Sequence, residues 1–331
     1  MQKQSKIVIV GCGTIATTHV DVLQKLKKNI VAVCDIDESK ARKLCEKFGL
    51  NVKIYTDYIK MLDVEKPDAA HILTPHFLHA EMVVETLNRN INCLCEKPLF
   101  IKEDEFLQIQ KAVSASKGKL GVCFQHRFME INKFIKKCIN EEGCLGISAF
   151  LAWRRTPEYY TNSSWRGKWK TEGGSLLINQ AIHTLDQIIW LCGMPQKVIA
   201  NTYNRTLADV IECEDTAELF LQYDNGVRCQ MYATNAAATN FNNCICVRTN
   251  LNTYEFNSKQ LLVNGVPYTC FSSNVSVDAK QYWGNGHYFL IDEFYRCVES
   301  GKTFDVDCVQ ASQAVKVVLS AYKSNGKEIE L

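Results

Sequence analysis

Residues 7–10, Ile-Val-Ile-Val, form an unbroken apolar run that stops at Gly11-Cys12-Gly13-Thr14-Ile15-Ala16, after which apolar residues recur at Val20, Leu23 and Leu26. That pattern predicts a buried strand, a tight turn and an amphipathic helix. A second apolar run over 30–34 ends at Asp35 and predicts a second strand, which closes one βαβ unit. Strand and helix patterns go on alternating: strands over 52–55, 69–73, 91–95 and 120–124, with helices over 39–48, 77–88 and 103–116. Alternation of this kind predicts an α/β Rossmann domain, a doubly wound parallel sheet covered on both faces. We place this dinucleotide-binding domain at residues 1–124.

The pattern changes after about residue 128. One helix runs to Ile139 and a strand is expected over 146–154, followed by a loop dense in aromatic and basic residues that includes Arg154, Arg155, Tyr159, Trp165, Arg166 and Lys168. Tyr and Trp can flank a sugar face, while Arg and Lys can hold hydroxyls, carboxylates or phosphates; a rigid loop of packed aromatics is the alternative. The run from Glu172 through Gly173-Gly174 to Trp190 predicts one helix ending at Gly193, with Ile178, Ile182, Leu185 and Ile189 as its apolar stripe. Asn179, His183, Asp186 and Trp190 fall beside that stripe. Polar groups in line on a mostly buried helix are costly unless they meet a ligand or each other. Hairpins are expected around Asn225-Gly226, joining 218–223 to 227–232, and around Asn264-Gly265, joining 261–263 to 267–270. Helices over 287–299 and 309–322 end the chain. Together these predict a C-terminal α+β domain, residues 125–331, built on a largely antiparallel, open-faced sheet. A second subunit is the expected cover for the open face, giving a homo-dimer or homo-tetramer.

Composition narrows the ligand. With 331 residues, 47% hydrophobic, the chain can bury a large core, and a net charge of +2 offers no basic field for nucleic acid or an anionic membrane. The 16 cysteines include no Cys-x-x-Cys pair. Cys93/Cys95 and Cys244/Cys246 alternate within strands, where cysteine packs as a small hydrophobe, so no metal site is expected. Reduced thiols, no membrane-length apolar stretch and no signal-peptide core lead us to expect a cytoplasmic protein with a small-molecule ligand.

The glycine turn carries the first chemistry. Gly11 permits the turn, Gly13 lets the backbone approach a pyrophosphate, and Ala16 takes the close helix–strand position, with amides around Thr14 and Ile15 facing the phosphate. Asp35, at the end of the second strand, suits the ribose hydroxyls and repels a 2′-phosphate, which favours NAD over NADP; Asp37 and Glu38 are better placed to cap the next helix. Ligands of open parallel sheets lie beyond the carboxyl ends of the strands. Thr74, Pro75, His76, His79, Glu96, Lys97 and Gln125 sit at such ends and are expected to line the cofactor. His76 and His79 read as cofactor contacts or helix caps, and Lys97 on its own run reads equally as a loop lysine.

With these pieces in order, the chain resembles the glucose-fructose oxidoreductase and inositol dehydrogenase (Gfo/Idh/MocA) family over nearly its whole length. The resemblance rests on the glycine turn, Thr74-Pro75 with His79, Cys95-Glu96-Lys97-Pro98, Gly173-Gly174, and the run 179–186 followed by Gly193. It implies an NAD(P)-dependent enzyme that oxidises or reduces a ring carbon of a sugar, cyclitol or nucleotide sugar. It further implies that Lys97 lies between nicotinamide and substrate and that His183 is an acid/base. Many members carry aspartate where this chain has Asn179, which implies a neutral amide holding a substrate hydroxyl. Trp165-Arg166-Gly167 with Asn179 and His183 looks most like the branch that includes nucleotide-sugar 3-dehydrogenases. The expected substrate contacts are therefore Lys97, Arg155, Tyr159, Trp165, Arg166, Asn179 and His183. In the expected reaction His183 takes the hydroxyl proton, NAD⁺ takes the hydride and Lys97 stabilises the alkoxide; Lys97 as the base is the variant. Two other functions fit the same scaffold: an NAD-dependent glycosidase working by transient oxidation and elimination, and a non-catalytic NAD sensor.

Overall fold

The computed structural model describes residues 5–241, 243–269 and 284–331. They divide into two compact units: the described residues of 1–125 and 275–312 form one, and those of 126–274 and 313–331 the other.

The first unit starts with β1 (Lys6–Val10), α1 (Thr14–Lys25), β2 (Asn29–Cys34), α2 (Glu38–Phe48), β3 (Lys53–Tyr55) and α3 (Tyr58–Glu65). It continues with β4 (Ala69–Ile72), α4 (His79–Asn88), β5 (Asn92–Cys95), α5 (Glu103–Ala115) and β6 (Leu120–Val122). All six strands are parallel, in the order β3-β2-β1-β4-β5-β6. The order reverses between β1 and β4, the place where such sheets open a crevice for a dinucleotide. Local chemistry sets the helix ends. Asp37 accepts from the Ser39 amide at 3.0 Å to start α2, Asp57 accepts from the Lys60 amide at 3.1 Å to start α3, and Gly49 takes the left-handed conformation that stops α2.

Residues 284–312, which by order along the chain fall in the 125–331 segment, group with this first unit. The reason is packing around β6. The amide of Val122 donates to the Val306 carbonyl at 3.0 Å, and a Cβ on Gly121 would come within 2.8 Å of the Phe294 ring and 2.9 Å of the Phe304 ring. Phe294 and Tyr295 lie on the buried face of the helix Gly286–Ser300, α9 in chain order.

The second unit contains α6 (Glu130–Glu142), β7 (Cys144–Ala152), α7 (Pro157–Thr161), a π-helical segment (Leu176–Ala181), α8 (Ile182–Cys192), β8 (Lys197–Tyr203), β9 (Thr216–Gln222) and β10 (Arg228–Thr234). Beyond them lie β11 (Cys244–Thr249), β12 (Thr253–Phe256), β13 (Leu261–Val263), β14 (Val266–Pro267), α10 (Cys308–Ser324), whose sequence is shared between the two units, and β15 (Glu328–Glu330). Its sheet runs β14-β13-β12-β11-β7-β10-β9-β8-β15 and is antiparallel except where β7 pairs with β10. Alternation separates its faces. Cys229, Met231 and Ala233 of β10 are buried, while Tyr232 beside Phe150 of β7, and Phe220 of β9, are exposed on the other face. The turn at Asn264-Gly265 has φ of 52° and 79°, the left-handed pair that a two-residue hairpin of this kind requires. Cys270, the end of the strand expected over 267–270, lies outside the described residues.

The helix expected from Glu172 to Trp190 is two structures. Gly173 and Gly174 have φ of 82° and 134°, so the chain turns there, runs through the π-helical segment and becomes α-helical only at Ile182. A Cβ on Gly174 would overlap the Tyr322 hydroxyl, so glycine is needed for space as well as for conformation. No helix among the described residues is long and apolar enough to cross a membrane.

Candidate functional site

In the first unit the glycine turn sits at the carboxyl edge of β1. Gly11 has φ of 95°, and a Cβ there would meet the Leu73 carbonyl oxygen at 2.6 Å, so the end of β4 closes on the turn. Gly13 has an ordinary φ of −76°, and a Cβ on it would meet nothing within 4 Å. Its surroundings are therefore open on the side where a pyrophosphate would lie. The start of α1 has neither a side-chain cap nor an acidic residue in its first turn, which leaves Thr14 and Ile15 at an electropositive helix end, while Ala16 is fully buried. Asp35 does more than the sequence suggests. Its Oδ2 accepts from the Cys12 amide at 2.8 Å and its Oδ1 from the Asp37 amide at 2.9 Å, so the acid expected to read the ribose also holds the glycine turn.

The same edge carries the Glu-Lys-Pro turn. Glu96 is 7% exposed, and its Oε1 accepts from His19 Nε2 at 3.1 Å and from His287 Nε2 at 3.3 Å. Behind His19, its Nδ1 lies 2.8 Å from His71 Nδ1, and His71 Nε2 lies 2.8 Å from the Tyr295 hydroxyl. One arrangement of protons satisfies this chain with neutral rings. Tyr295 O–H donates to His71, His71 Nδ1–H donates to His19, and His19 Nε2–H donates to Glu96. Burial lowers the His19 pKa and lowers that of His71 still further, so both rings are neutral donors rather than ion-pair partners. Burial opposes charge on Glu96 as well, yet the hydrogen bonds from His19 and His287 hold its carboxyl well below the usual range. The result is a buried carboxylate beneath Lys97, whose backbone amide donates to Glu96 Oε2 at 3.3 Å and whose bond to Pro98 is cis.

His79 lies between this turn and the Thr74 carbonyl, with Pro75 next in the chain. His79 places Nδ1 2.7 Å from the Pro98 carbonyl and Nε2 2.8 Å from the Thr74 carbonyl; burial lowers its pKa and the two carbonyls oppose that lowering, and a neutral ring donates to one of them at a time. His76 is buried 5.9 Å from the His79 ring, centroid to centroid. Gln125, after β6, is 1% exposed, and its Oε1 has no hydrogen-bond partner among the described residues. An orphaned buried amide oxygen costs about 1–3 kcal/mol, which a cofactor carboxamide at this edge would recover. The residues present therefore fit a dinucleotide. His19, Glu96 and Cys123 also lie within metal-ligand reach of one another, but the hydrogen bonds from His19 and His287 already account for Glu96 Oε1.

In the second unit the aromatic-basic loop is partly gathered. The Arg155 guanidinium lies 5.0 Å and that of Arg166 4.5 Å from the Tyr159 ring centroid, and Arg166 also covers Trp165 at 5.0 Å. The Arg166 charge also acts on the buried Glu172 carboxyl. Arg154 is exposed, and Lys168 Nζ donates to the Ser164 carbonyl at 3.1 Å, so these two bases do not join the pair. The Tyr159 hydroxyl accepts from Gln180 Nε2 at 3.1 Å, and Gln180 Oε1 accepts from Asn235 Nδ2 at 3.1 Å, which fixes the ring from below.

The polar residues expected to line one helix face separate. Asn179 Nδ2 donates to Glu172 Oε1 at 2.5 Å, and Glu172 Oε2 also accepts from the Gly167 amide at 2.5 Å. Asp186 is buried against Arg127, with Oδ2 2.9 Å from Nε and Oδ1 2.6 Å from Nη2, so it is a structural anchor of α8. Burial pushes the Asp186 pKa up while Arg127 holds it down. His183 is half-buried, and its ring lies 5.2 Å from that of His126, a neighbour that its place just after β6 does not announce. Glu172 and Glu214 are both buried carboxyls pushed by desolvation up to about 7. Glu214 accepts from the Ser175 and Leu177 amides and from the Tyr322 hydroxyl, and so pins the start of the π-helical segment. Sequence reasoning missed Glu172, Glu214, Gln180, Asn235 and His126 as parts of this site; Glu172, next to the paired glycines, and Gln180, within the run 179–186, carried a local signal.

Comparison with known proteins adds identity to this geometry. Residues 5–124 match the model of the GFO_IDH_MocA oxidoreductase family, NAD-binding Rossmann fold, and residues 144–253 match the GFO/IDH/MocA C-terminal domain. The chain is 27% identical over 209 residues to D-glucoside 3-dehydrogenase of Escherichia coli (strain K12), covering 60% of this chain and 57% of that protein. It is 24% identical over 222 residues to inositol 2-dehydrogenase of Salmonella typhimurium (strain LT2), covering 66% of this chain and 64% of that one. These alignments thus span less than two thirds of either relative. Among solved structures, the WlbA dehydrogenase of Bordetella pertussis, in complex with NADH and UDP-GlcNAcA, superposes with a TM-score of 0.85 at 23% identity, over 99% of both chains, and shares the fold.

Proposed function

The chain belongs to the GFO/IDH/MocA oxidoreductase family, and from that premise we propose that it is an NAD-dependent dehydrogenase acting on a ring carbinol of a sugar or nucleotide sugar, with 3-dehydrogenase chemistry favoured. The observation that carries the proposal is Lys97 at the carboxyl edge of β5, on the sheet edge that also bears the glycine turn, with a buried and ionised Glu96 anchoring its backbone.

Gly11, Gly13, Thr14, Ile15, Ala16, Asp35, Thr74, Pro75, His76, His79, Glu96, Lys97 and Gln125 would hold the cofactor. Bound NAD⁺ supplies the hydride acceptor. The chain's own residues handle the proton and the charge. His183 accepts the proton of the substrate hydroxyl, and help of this kind is worth about 10²–10⁴ in rate. Lys97 presents a fixed ammonium to the alkoxide as it forms, an effect worth about 10²–10³. Asn179, its amide oriented by Glu172, accepts from a neighbouring substrate hydroxyl.

Arg155 and Arg166, gathered over Tyr159, favour a substrate with an anionic group, a diphosphate or a uronate carboxylate. A relative named for UDP-GlcNAcA binding supports the same class. The exposed aromatics Phe150, Phe220 and Tyr232 on the open sheet face support a homo-oligomer covering that face, and the free thiols support a cytoplasmic setting.

The test is to incubate purified protein with NAD⁺ and a panel of neutral sugars, cyclitols, uronates and nucleotide sugars, and to follow NADH formation. NADH formed with an anionic sugar supports the proposal. Cleavage of a glycoside without net NADH, or no turnover across the panel, would overturn it.

A further inference from the structure

Cys144 and Cys192 stand 48 residues apart in sequence and share no motif, yet their sulfur atoms lie 3.5 Å apart. Cys144 opens β7 and Cys192 ends α8. A bulge makes the approach possible. Gly146 pairs with Arg248 and Cys144 with Thr249, so Leu145 is an extra residue in β7. The added residue turns Cys144 onto the helix-covered side, while Leu145 is 53% exposed. Both cysteines are half-buried, which leaves the pair open to a small reagent.

The surroundings of the two sulfurs differ. Lys136 of α6 donates through Nζ to the Trp190 and Leu191 carbonyls at 2.7 and 3.0 Å, which brings its charge to the end of α8. Cys144 faces that ammonium and the Arg248 guanidinium of β11, shares a hydrogen bond with the Cys192 thiol in which either sulfur can donate, and accepts from the Gly146 amide. Cys192 faces Cys144 on one side and Cys229 of β10 on the other, with Tyr223 beyond. Partly exposed thiols in cationic, hydrogen-bonding surroundings are the reactive ones, because the thiolate is the nucleophile.

We infer that Cys144 and Cys192 form a redox-active dithiol, with Cys144 the attacking sulfur and Cys192 the resolving one. The oxidant is a low-molecular-weight disulfide such as oxidised glutathione. The Cys144 thiolate attacks one of its sulfurs, a mixed disulfide forms and one glutathione leaves, taking the Cys144 proton. Cys192 then attacks the Cys144 sulfur, the mixed disulfide breaks, and the second glutathione leaves with the Cys192 proton. Two electrons pass to the glutathione disulfide, and the protein gains one S–S bond. Closing from 3.5 Å to a bond length of about 2.05 Å asks for a small movement of the two side chains. The surroundings agree with the division of roles: Cys144 lies beside two cations, Lys136 and Arg248, and Cys192 beside the thiols of Cys144 and Cys229. The bond would staple the end of the helix that begins beside His183 to the first strand of its sheet. This inference stands independently of the substrate reading.

The experiment treats the folded, full-length chain with oxidised glutathione, quenches with an alkylating agent and maps the peptides by mass. Expected is a Cys144–Cys192 peptide lighter by two hydrogen atoms, reversed by dithiothreitol. In the untreated protein Cys144 should alkylate about tenfold faster than the buried cysteines, as expected for a thiolate-stabilising site. Cys192→Ser should trap glutathione on Cys144, and Cys144→Ser should leave Cys192 unmodified. A Cys144 that alkylates no faster than the buried thiols, or a first-formed disulfide joining Cys192 to Cys229, would overturn the inference; the wild-type rates decide it even where a variant fails to fold.

Discussion

The Asn179 amide is oriented by a buried acid: its Nδ2 donates to Glu172 Oε1 at 2.5 Å, which commits the donor end of the amide to the protein and makes Oδ1 its acceptor end for a substrate hydroxyl. An ionised carboxylate enforces that orientation because it can only accept. Desolvation raises the Glu172 pKa to about 7, against the Gly167 amide, Asn179 and Arg166, with Glu214 adding to the rise. Below that value a protonated Glu172 can donate to Oδ1 and let the amide reverse. Sugar KM should therefore rise as pH falls through about 7 while cofactor KM stays level. Glu172→Gln should remove that limb of the profile and weaken sugar binding at high pH by about tenfold, the worth of one good hydrogen bond. An unchanged KM profile in Glu172→Gln would break the link.

Glu214 predicts a pH-dependent stability. Its folded pKa, raised by burial to about 7, lies above its unfolded value near 4.5. The folded state then holds the proton more tightly, so the group's contribution is fully present below about pH 4.5 and is lost as pH rises to about 7. The loss is on the order of 3 kcal/mol. Glu214→Gln stays neutral throughout, so the difference in melting temperature, wild type minus variant, should fall between those pH limits.

Arg127 and Asp186 form a buried two-point ion pair at 2.6 and 2.9 Å. Removing one partner strands a charge, so Arg127→Met should cost about 3–5 kcal/mol in urea unfolding. Arg127→Met combined with Asp186→Leu should recover much of that loss. A double variant as unstable as the sum of the singles would mean that the pair carries more than its own burial.

Asp35 should select the cofactor. Asp35→Ala removes the charge that would repel a 2′-phosphate, and the ratio of kcat/KM for NADP⁺ to that for NAD⁺ should rise by about tenfold or more. Part of the cost will appear as lower NAD⁺ affinity, because Asp35 also holds the Cys12 amide at 2.8 Å. A ratio that does not move would take the ribose role away from Asp35.

The first unit is largely legible in the chain. Residues 7–10 and 30–34 are apolar runs that end at glycine or aspartate, and 69–73 is apolar but for His71, with Pro75 just beyond; each marks a strand of the parallel sheet. The cap at Asp37 is legible because it is local. The anchor of Lys97 is not, because His19, His71 and Glu96 come from three separate elements or loops and His287 and Tyr295 from a fourth, α9, and they meet only in the folded unit. The helix expected from Glu172 fails for a related reason. Its periodicity is real, and Ile178, Ile182, Leu185 and Ile189 are all buried, but the two glycines and the distant acid Glu214 decide where it starts. Asp186 looked aligned with His183, yet its partner is Arg127, 59 residues earlier. The grouping of α9 with the first unit has the same origin: its apolar stripe does not say which sheet it covers.

Whether Lys97 and His183 divide the charge and the proton of one oxidation is read from single-turnover hydride transfer with saturating NAD⁺ and the sugar that the panel identifies. Under saturating NAD⁺, Lys97→Met should slow the NADH burst by about 10²–10³ and His183→Ala by about 10²–10⁴, with NAD⁺ affinity unchanged in the His183 variant. Near wild-type bursts in both variants would contradict the account.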